Sequence, residues 1–185
     1  MRQLLEVFQP VIPVFILLFI VVVVVALFIN SRAGYRMDSI KKRVDFVVHI
    51  GLMMTIIGIL LVTLLPSSNP EKVTQFIPFY SILDTFEYAT DYAIINSIGM
   101  NILLFVPFGL FMYLFTKNEF LTTIIACLFS IIIETLQYIL PIGRITNIDD
   151  VILNTSGAIL GMVVGFIFSK LGIVYYFVSA GKRKP

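Results

Sequence analysis

Residues 134–161 read Glu134-Thr-Leu-Gln-Tyr-Ile-Leu-Pro-Ile-Gly-Arg144-Ile-Thr-Asn-Ile-Asp-Asp150-Val-Ile-Leu-Asn154-Thr-Ser-Gly157-Ala-Ile-Leu-Gly161. Acidic, basic and amide side chains lie here between two long apolar runs, 120–140 and 151–169. Each run is long enough to cross a bilayer, because about 20 helical residues at about 1.5 Å each span the hydrocarbon core. The stretch therefore predicts a helical hairpin whose polar groups gather at one face of a membrane.

The composition extends this prediction to the whole chain. Its 185 residues are 59% hydrophobic and only 13% charged, with a mean hydropathy of +1.01, whereas soluble domains carry about 25% charged residues. Three further apolar runs, 11–29, 46–65 and 98–115, bring the predicted spans to about five. No period-two alternation repeats along the chain, which disfavours a β-barrel. We predict an all-α polytopic membrane protein.

The chain divides into two predicted parts: a first transmembrane helix with a basic cytoplasmic linker, 1–45, and a main transmembrane domain, 46–185. Between the second and third spans, apolar and acidic residues occupy opposite sides of a short helical pattern: Ile82, Leu83, Phe86 and Ala93 against Asp84, Glu87 and Asp91. This pattern is typical of an amphipathic or re-entrant helix at a membrane surface. The carboxylates are interpreted as a solvated face, with a divalent-cation site as the alternative.

The basic residues predict the orientation. With five spans, ten of the thirteen lysines and arginines fall on one side, in the 30–45 linker, the 117 turn and the C-terminal tail, and three fall on the other, Arg2, Lys72 and Arg144. The positive-inside rule then places the N-terminus outside and the C-terminus in the cytoplasm of a multi-pass membrane protein. The Arg144 loop and the amphipathic helix face outward.

The same stretch contains a predicted ligand-binding site in the outer third of the membrane. Its members are Glu134, Gln137, Arg144, Asp149, Asp150, Asn154 and, from the third span, Asn101. A carboxyl group at this depth costs about 2.5–3.5 kcal/mol on insertion scales, so it needs partners. One interpretation is a structural lock in which Arg144 pairs with Glu134 or Asp150. The other is a ligand-binding or catalytic site beneath Arg144.

Helical spacing predicts how the spans pack. Gly157, Gly161 and Gly165 form a small-residue stripe that allows close approach of another backbone. We expect it to pack against the polar stripe of the fourth span, which would place Asn154 near Glu134 and Gln137. Pro107 and Gly109, in the middle of the third span, are interpreted as structural, and Pro107 is expected to kink its helix.

Several of these pieces together resemble the VanZ-like family of bacterial membrane proteins. They are Ile77-Pro-Phe79, Asn101-Ile-Leu-Leu-Phe-Val-Pro107-Phe-Gly109, Glu134-Thr-Leu-Gln137, Arg144, and Asp149-Asp-Val-Ile-Leu-Asn154-Thr-Ser-Gly157 with Gly161. They cover about residues 77–165. The residues just after Arg144 depart from the family's usual aromatic and acidic residues. The resemblance implies a cell-envelope setting and antibiotic resistance to teicoplanin-type glycopeptides, without supplying a reaction.

Three hypotheses for the function remain open. The first is binding of an amphipathic outer-leaflet molecule, such as a phospholipid, a lipid-linked wall precursor or a lipoglycopeptide. The second is an enzyme with Glu134 as general acid or base and Arg144 holding a phosphate or carboxylate. The third is a structural partner of another membrane protein. Binding is preferred because no Ser/His/Asp set, HExxH motif or P-loop is present. No cofactor, metal or nucleic acid is expected.

The predicted orientation can be tested with single cysteines. In a Cys127→Ser background, cysteines replacing Ser68 and Asn147 should react with a membrane-impermeant thiol reagent on intact cells, whereas one replacing Ser39 should not. Labelling at position 39 with protection at position 68 would show that the orientation is the reverse of the predicted one.

Overall fold

The computed structural model describes residues 11–32, 39–66 and 74–172, and these residues are mostly helical. The elements in chain order are α1 (Val11–Arg32), α2 (Ile40–Leu64), β1 (Thr74–Gln75), α3 (Tyr80–Tyr88), α4 (Asp91–Ile94), α5 (Met100–Thr116), α6 (Glu119–Ile139), β2 (Thr146–Asn147) and α7 (Ile148–Lys170). A π-helical turn, Ile95–Gly99, joins α4 to α5. The predicted all-α membrane architecture is confirmed. The two short strands, which pair in parallel, were not expected.

Four helical stretches are long and apolar enough to cross a membrane: Ile40–Leu64, Tyr92–Thr116, Glu119–Ile139 and Ile148–Lys170. Helix α1 adds a further apolar helix, with Pro13–Phe28 as its shorter apolar part. Four to five apolar helices fit a multi-pass membrane protein. Helix α2 begins at Ile40 rather than at the predicted Phe46, because Ser39 accepts a hydrogen bond from the amide of Lys42 and caps the helix.

Helix α5 lies at the centre of the described bundle. It packs most extensively against α7 and also contacts α2 and α6. Its buried Phe105 and Phe108 both contact Phe129 of α6, and the Phe108 and Phe129 rings are stacked with centroids 5.2 Å apart. Ile59 of α2 joins the same core. The third predicted span is therefore the one around which the others pack.

Backbone contact between α5 and α7 depends on glycine. A Cβ added at Gly161 would collide with the carbonyl oxygen of Val106, and one added at Gly157 would collide with that of Ile102. Gly109 of α5 lies in the same way against the backbone of Ala158. The expected packing of this stripe against the fourth span is therefore wrong. Glycines on both α5 and α7 let these two backbones meet, whereas the side chains of α6 would keep α7 further away.

The polar ends of several helices meet at one end of the bundle. The C-terminal turn of α2 contacts the loop before α7, and the N-terminus of α3 contacts the start of α7. Ser39, at the other end of α2, therefore lies at the opposite end of the bundle from Asn147, which caps α7. Helix α3 has no buried residue and exposes Leu83 and Phe86, as expected for a surface helix.

The α5–α7 contact predicts that substitutions at Gly161 and at Gly165 lower the stability of the protein by different amounts. Gly161→Ala should lower the melting temperature of the purified protein by about 3–10 °C, because overpacking of a tight contact costs about 1–3 kcal/mol. Gly165→Ala should cost less, because its added Cβ would lie 3.1 Å from the nearest atoms, Leu110 O and Tyr113 Cδ1. Thermal unfolding in detergent measures both. Equal melting temperatures for wild type and Gly161→Ala would contradict the contact.

Candidate functional site

Glu134 is buried near the C-terminal end of α6 and joins this helix to the start of α7. Its side chain is 8% exposed, and Oε2 accepts a hydrogen bond of 3.0 Å from the backbone N–H of Asn147. Asn147 caps α7 through its own side chain, which accepts from the amide of Asp149. In a capping box, a glutamate of the first helical turn would accept the N-cap N–H. Glu134 performs this task from a neighbouring helix. Its Oε1 makes no hydrogen bond within the described residues.

Glu134 also lines a cavity of about 220 Å³ between α6, α7 and the segment that follows β1. The remaining wall is mixed: Phe76, Ile131, Ile148 and Val151 are apolar, and Thr135, Tyr138, Thr146 and Asn147 are polar. Ligand sites usually combine apolar walls with a few polar groups in this way, and sites for drug-sized molecules measure about 300–1,000 Å³. The size of this cavity suits part of a ligand, such as a headgroup.

Arg144 contacts the end of α2 rather than Glu134. Its Nε donates to the carbonyl of Leu65 at 3.0 Å, and one terminal nitrogen donates to that of Val62 at 2.8 Å. Carbonyls in the last turn of a helix lack partners within the helix, and a cation there is favoured by the helix dipole. The lock interpretation, in which Arg144 pairs with Glu134 or Asp150, therefore does not describe these contacts. Burial lowers the pKa of Arg144, but a guanidinium stays charged at neutral pH.

Asp149 anchors the surface helix α3 to α7. Its carboxylate is completely buried and accepts hydrogen bonds from the backbone N–H groups of Phe79 and Ile82, the latter at 3.1 Å. These amides lie at the N-terminus of α3, where a negative charge is stabilised by the helix dipole. Phe79 has a φ of 65°, which is uncommon for a bulky residue. Asp149 thus holds in place a turn that is unfavourable by itself.

The other predicted polar residues form hydrogen bonds between helices. Asn101 donates to Asp150 at 2.8 Å and links α5 to α7. Gln137 donates to the carbonyl of Thr63 at 2.9 Å and links α6 to α2. Asn154 was expected near Glu134 and Gln137, but its amide donates to Ser130 of α6 at 2.9 Å. Such interhelical hydrogen bonds contribute about 0.6–2 kcal/mol each in membranes. These side chains therefore hold the bundle together.

The seven residues predicted from the sequence lie on elements that meet at this end, but only Glu134 lines the cavity. The sequence interpretation missed Phe76, Tyr138, Thr146 and Asn147 as cavity residues. An asparagine directly before a helical segment is a recognisable N-cap signal, so Asn147 could have been found. Among the described residues, no group of three His, Cys, Asp or Glu side chains is arranged to hold a metal ion.

A second cavity of about 560 Å³ lies between α1, α2 and α5. Phe15, Met54 and Phe111 are among its mostly apolar lining residues, and Pro107 lines it as well. The only hydroxyl in its wall, on Thr55, donates to the carbonyl of Leu52. The described residues of this wall therefore offer no free polar donor that could orient a ligand.

These features define a small polytopic membrane protein with a cavity at the polar end of its helical bundle. The family model described as VanZ/LLP1 matches residues 14–169, and the chain belongs to this family. The match begins in α1 and so extends further towards the N-terminus than the motifs at 77–165. Neither the curated proteins nor the solved structures contain a significant match to the chain.

The contacts of Arg144 and Glu134 predict that the two residues act independently. Arg144→Gln should lower stability by about 1–3 kcal/mol, because it leaves buried carbonyls of α2 without a partner. Glu134→Gln should change stability little, because glutamine keeps an acceptor for the N–H of Asn147. Unfolding of the single and double variants in one detergent measures the coupling, which should stay below about 0.5 kcal/mol for residues without contact. Restored stability in the double variant would instead show an ion pair.

Proposed function

We propose that this protein binds an amphipathic molecule of the outer leaflet of the bacterial plasma membrane, with the headgroup in the Glu134 cavity. The observation that carries the proposal is the buried carboxylate of Glu134, which lines a mixed polar and apolar cavity and keeps one oxygen without a hydrogen bond in the described chain. A buried charged group is costly unless it is paired. A ligand that pairs with this oxygen would offset that cost.

The surface of α6 supports binding of an attached acyl chain. Ile131 lines the cavity and is also exposed on the outside of α6. Leu128 lies one helical turn further from the polar end and is exposed as well. A headgroup in the cavity would therefore continue into a chain that lies along an apolar helix surface within the bilayer. This arrangement fits a phospholipid, a lipid-linked wall precursor or a lipoglycopeptide.

The engagement of Arg144 favours binding over catalysis. An enzyme that acts on a phosphate- or carboxylate-bearing lipid needs a group to hold that anion, and Arg144 was the candidate. Its guanidinium donates to the carbonyls of Val62 and Leu65, and Arg144 is not among the residues that line the cavity. The part of the cavity wall that the structure describes contains one carboxyl group and no histidine, lysine or cysteine with which Glu134 could share acid–base or nucleophilic work.

The distribution of basic residues supports the proposed side of the membrane. Ten of thirteen lysines and arginines lie on the side opposite the Arg144 loop if five helices span. The cavity, which lies beside this loop, would then open near the outer face of the membrane. Outer-leaflet lipids and the precursors of the cell wall are accessible there.

Expression in a susceptible Gram-positive host should raise tolerance to teicoplanin more than to vancomycin. Teicoplanin carries an acyl tail that partitions into the outer leaflet, whereas vancomycin lacks one and acts mainly from solution. Glu134→Gln should remove the teicoplanin effect. Paired inhibitory concentrations for wild type and variant measure the difference, and mass spectrometry of envelope lipids detects any chemical change.

Glu119→Gln is a matched control, because it makes the same substitution at the exposed opposite end of α6. It should leave teicoplanin tolerance unchanged, and both variants should accumulate to the wild-type level. Equal shifts for both drugs, or tolerance that survives Glu134→Gln, would contradict a role for the cavity. A new or missing lipid species that depends on Glu134 would show that the protein catalyses a reaction rather than only binding a lipid.

A further inference from the structure

The Glu134 cavity has one acidic group in its wall. Among the residues that the structure describes, no lysine, arginine or histidine lines it. Arg144, the basic residue nearest in sequence, donates to the end of α2. A cationic ligand is therefore the partner that would hold Glu134 in its ionised form.

The hydrogen bonds around the cavity show which kind of group is lacking. The Oε2 atom of Glu134 already accepts the N–H of Asn147, so Oε1 is the acceptor that remains. The hydroxyl of Thr135 donates to the carbonyl of Ile131 and so does not supply a donor to Glu134. The side-chain oxygen of Asn147 accepts from Asp149. A ligand that binds at Oε1 of Glu134 must bring an N–H or O–H donor.

Charge narrows the choice among headgroups. A phosphate or carboxylate in this cavity would be repelled by an ionised Glu134, because like charges repel strongly where little water screens them. A sugar hydroxyl could donate a hydrogen bond but would leave the negative charge uncompensated. A quaternary ammonium carries the charge but has no N–H donor. A primary ammonium supplies both the donors and the charge.

We propose, on the basis of the function proposed above, that the cavity binds the primary ammonium group of an acyl-chain-bearing molecule. The ammonium lies against Oε1 of Glu134, and the chain continues along the outer surface of α6 at Ile131. Aminolipid headgroups and lipid-linked peptides with a free amine share this chemistry. The volume of about 220 Å³ accommodates such a group but not a whole lipid.

The test uses the full chain in nanodiscs of phosphatidylcholine, whose quaternary headgroup has no N–H donor. Dodecylammonium, dodecanol and dodecyl phosphate are added separately, so that chain length is constant and only the headgroup differs. Ethylammonium tests the amine without the chain. The single cysteine, Cys127 in α6, is half-buried and reports thermal unfolding through a thiol-reactive dye.

We expect dodecylammonium to raise the melting temperature of the wild type by about 3–6 °C at a concentration about ten times its Kd. The rise should saturate, disappear in Glu134→Gln and persist in Glu119→Gln. Dodecanol, dodecyl phosphate and ethylammonium at the same concentration should give little rise. The comparison between the two variants separates specific binding from a general effect of the amine on the bilayer.

Each of three other results would contradict a specific part of the proposal. A rise with dodecanol or dodecyl phosphate that equals that of dodecylammonium and depends on Glu134 would overturn the ammonium proposal and leave amphiphile binding intact. An equal rise in melting temperature with ethylammonium would show that a soluble amine is sufficient, and would contradict the proposed role of the acyl chain. No rise that depends on Glu134 with any probe would overturn the ammonium assignment, while the teicoplanin comparison would still decide the proposed function.

Discussion

Backbone groups at the ends of membrane helices must find hydrogen-bond partners where water is scarce, and this requirement organises the polar end of the protein. Arg144 contacts carbonyls at the end of α2, and Asp149 accepts amides at the start of α3. Glu134 accepts the amide that precedes α7. Three charged side chains thus satisfy three helix ends, each from another part of the chain. Of the three residues, only Glu134 lines the cavity, and its Oε1 makes no hydrogen bond to the described residues.

The position of Glu134 relative to α7 depends on close packing elsewhere. Gly157 and Gly161 let α7 lie against the backbone of α5, and this contact is continued by the hydrogen bond between Asn101 and Asp150. Asn154 then links α7 to Ser130, one turn before Glu134 on α6. The start of α7 is consequently held from two sides, which fixes Asn147 against Glu134. The same packing that stabilises the bundle therefore shapes the proposed headgroup cavity.

The sequence predicted the elements of this structure better than their contacts. Apolar run lengths identified the long helices, and the polar residues of the 134–161 stretch were correctly placed near helix ends. Periodicity assigns a residue to a face of its helix but does not say which neighbour that face meets. For this reason Gly157 and Gly161 were matched with the wrong helix, although Gly109 on α5 offered the complementary small residue.

The contacts of the charged residues could not be predicted from the sequence for a different reason. One interpretation paired Arg144 with a carboxylate, because the sequence shows opposite charges but does not show the free carbonyls at the end of α2. Asp149 and Asp150 are adjacent in sequence but bind different helices, since successive helical residues point about 100° apart. Strands of two residues, such as β1 and β2, are too short to produce a periodic pattern.

Amide hydrogen exchange in an Asp149→Asn variant tests most directly whether charged side chains at the polar end of the bundle hold the helix ends. Asparagine keeps the size of aspartate but loses the charge and one acceptor. Loss of a helix cap costs about 1–2 kcal/mol, so exchange at Phe79 and Ile82 should become about 5–30 times faster. Exchange in the core of α5, around Phe105, should remain unchanged. Unchanged exchange at Phe79 and Ile82, or an increase spread evenly over α5 and α7, would contradict the account.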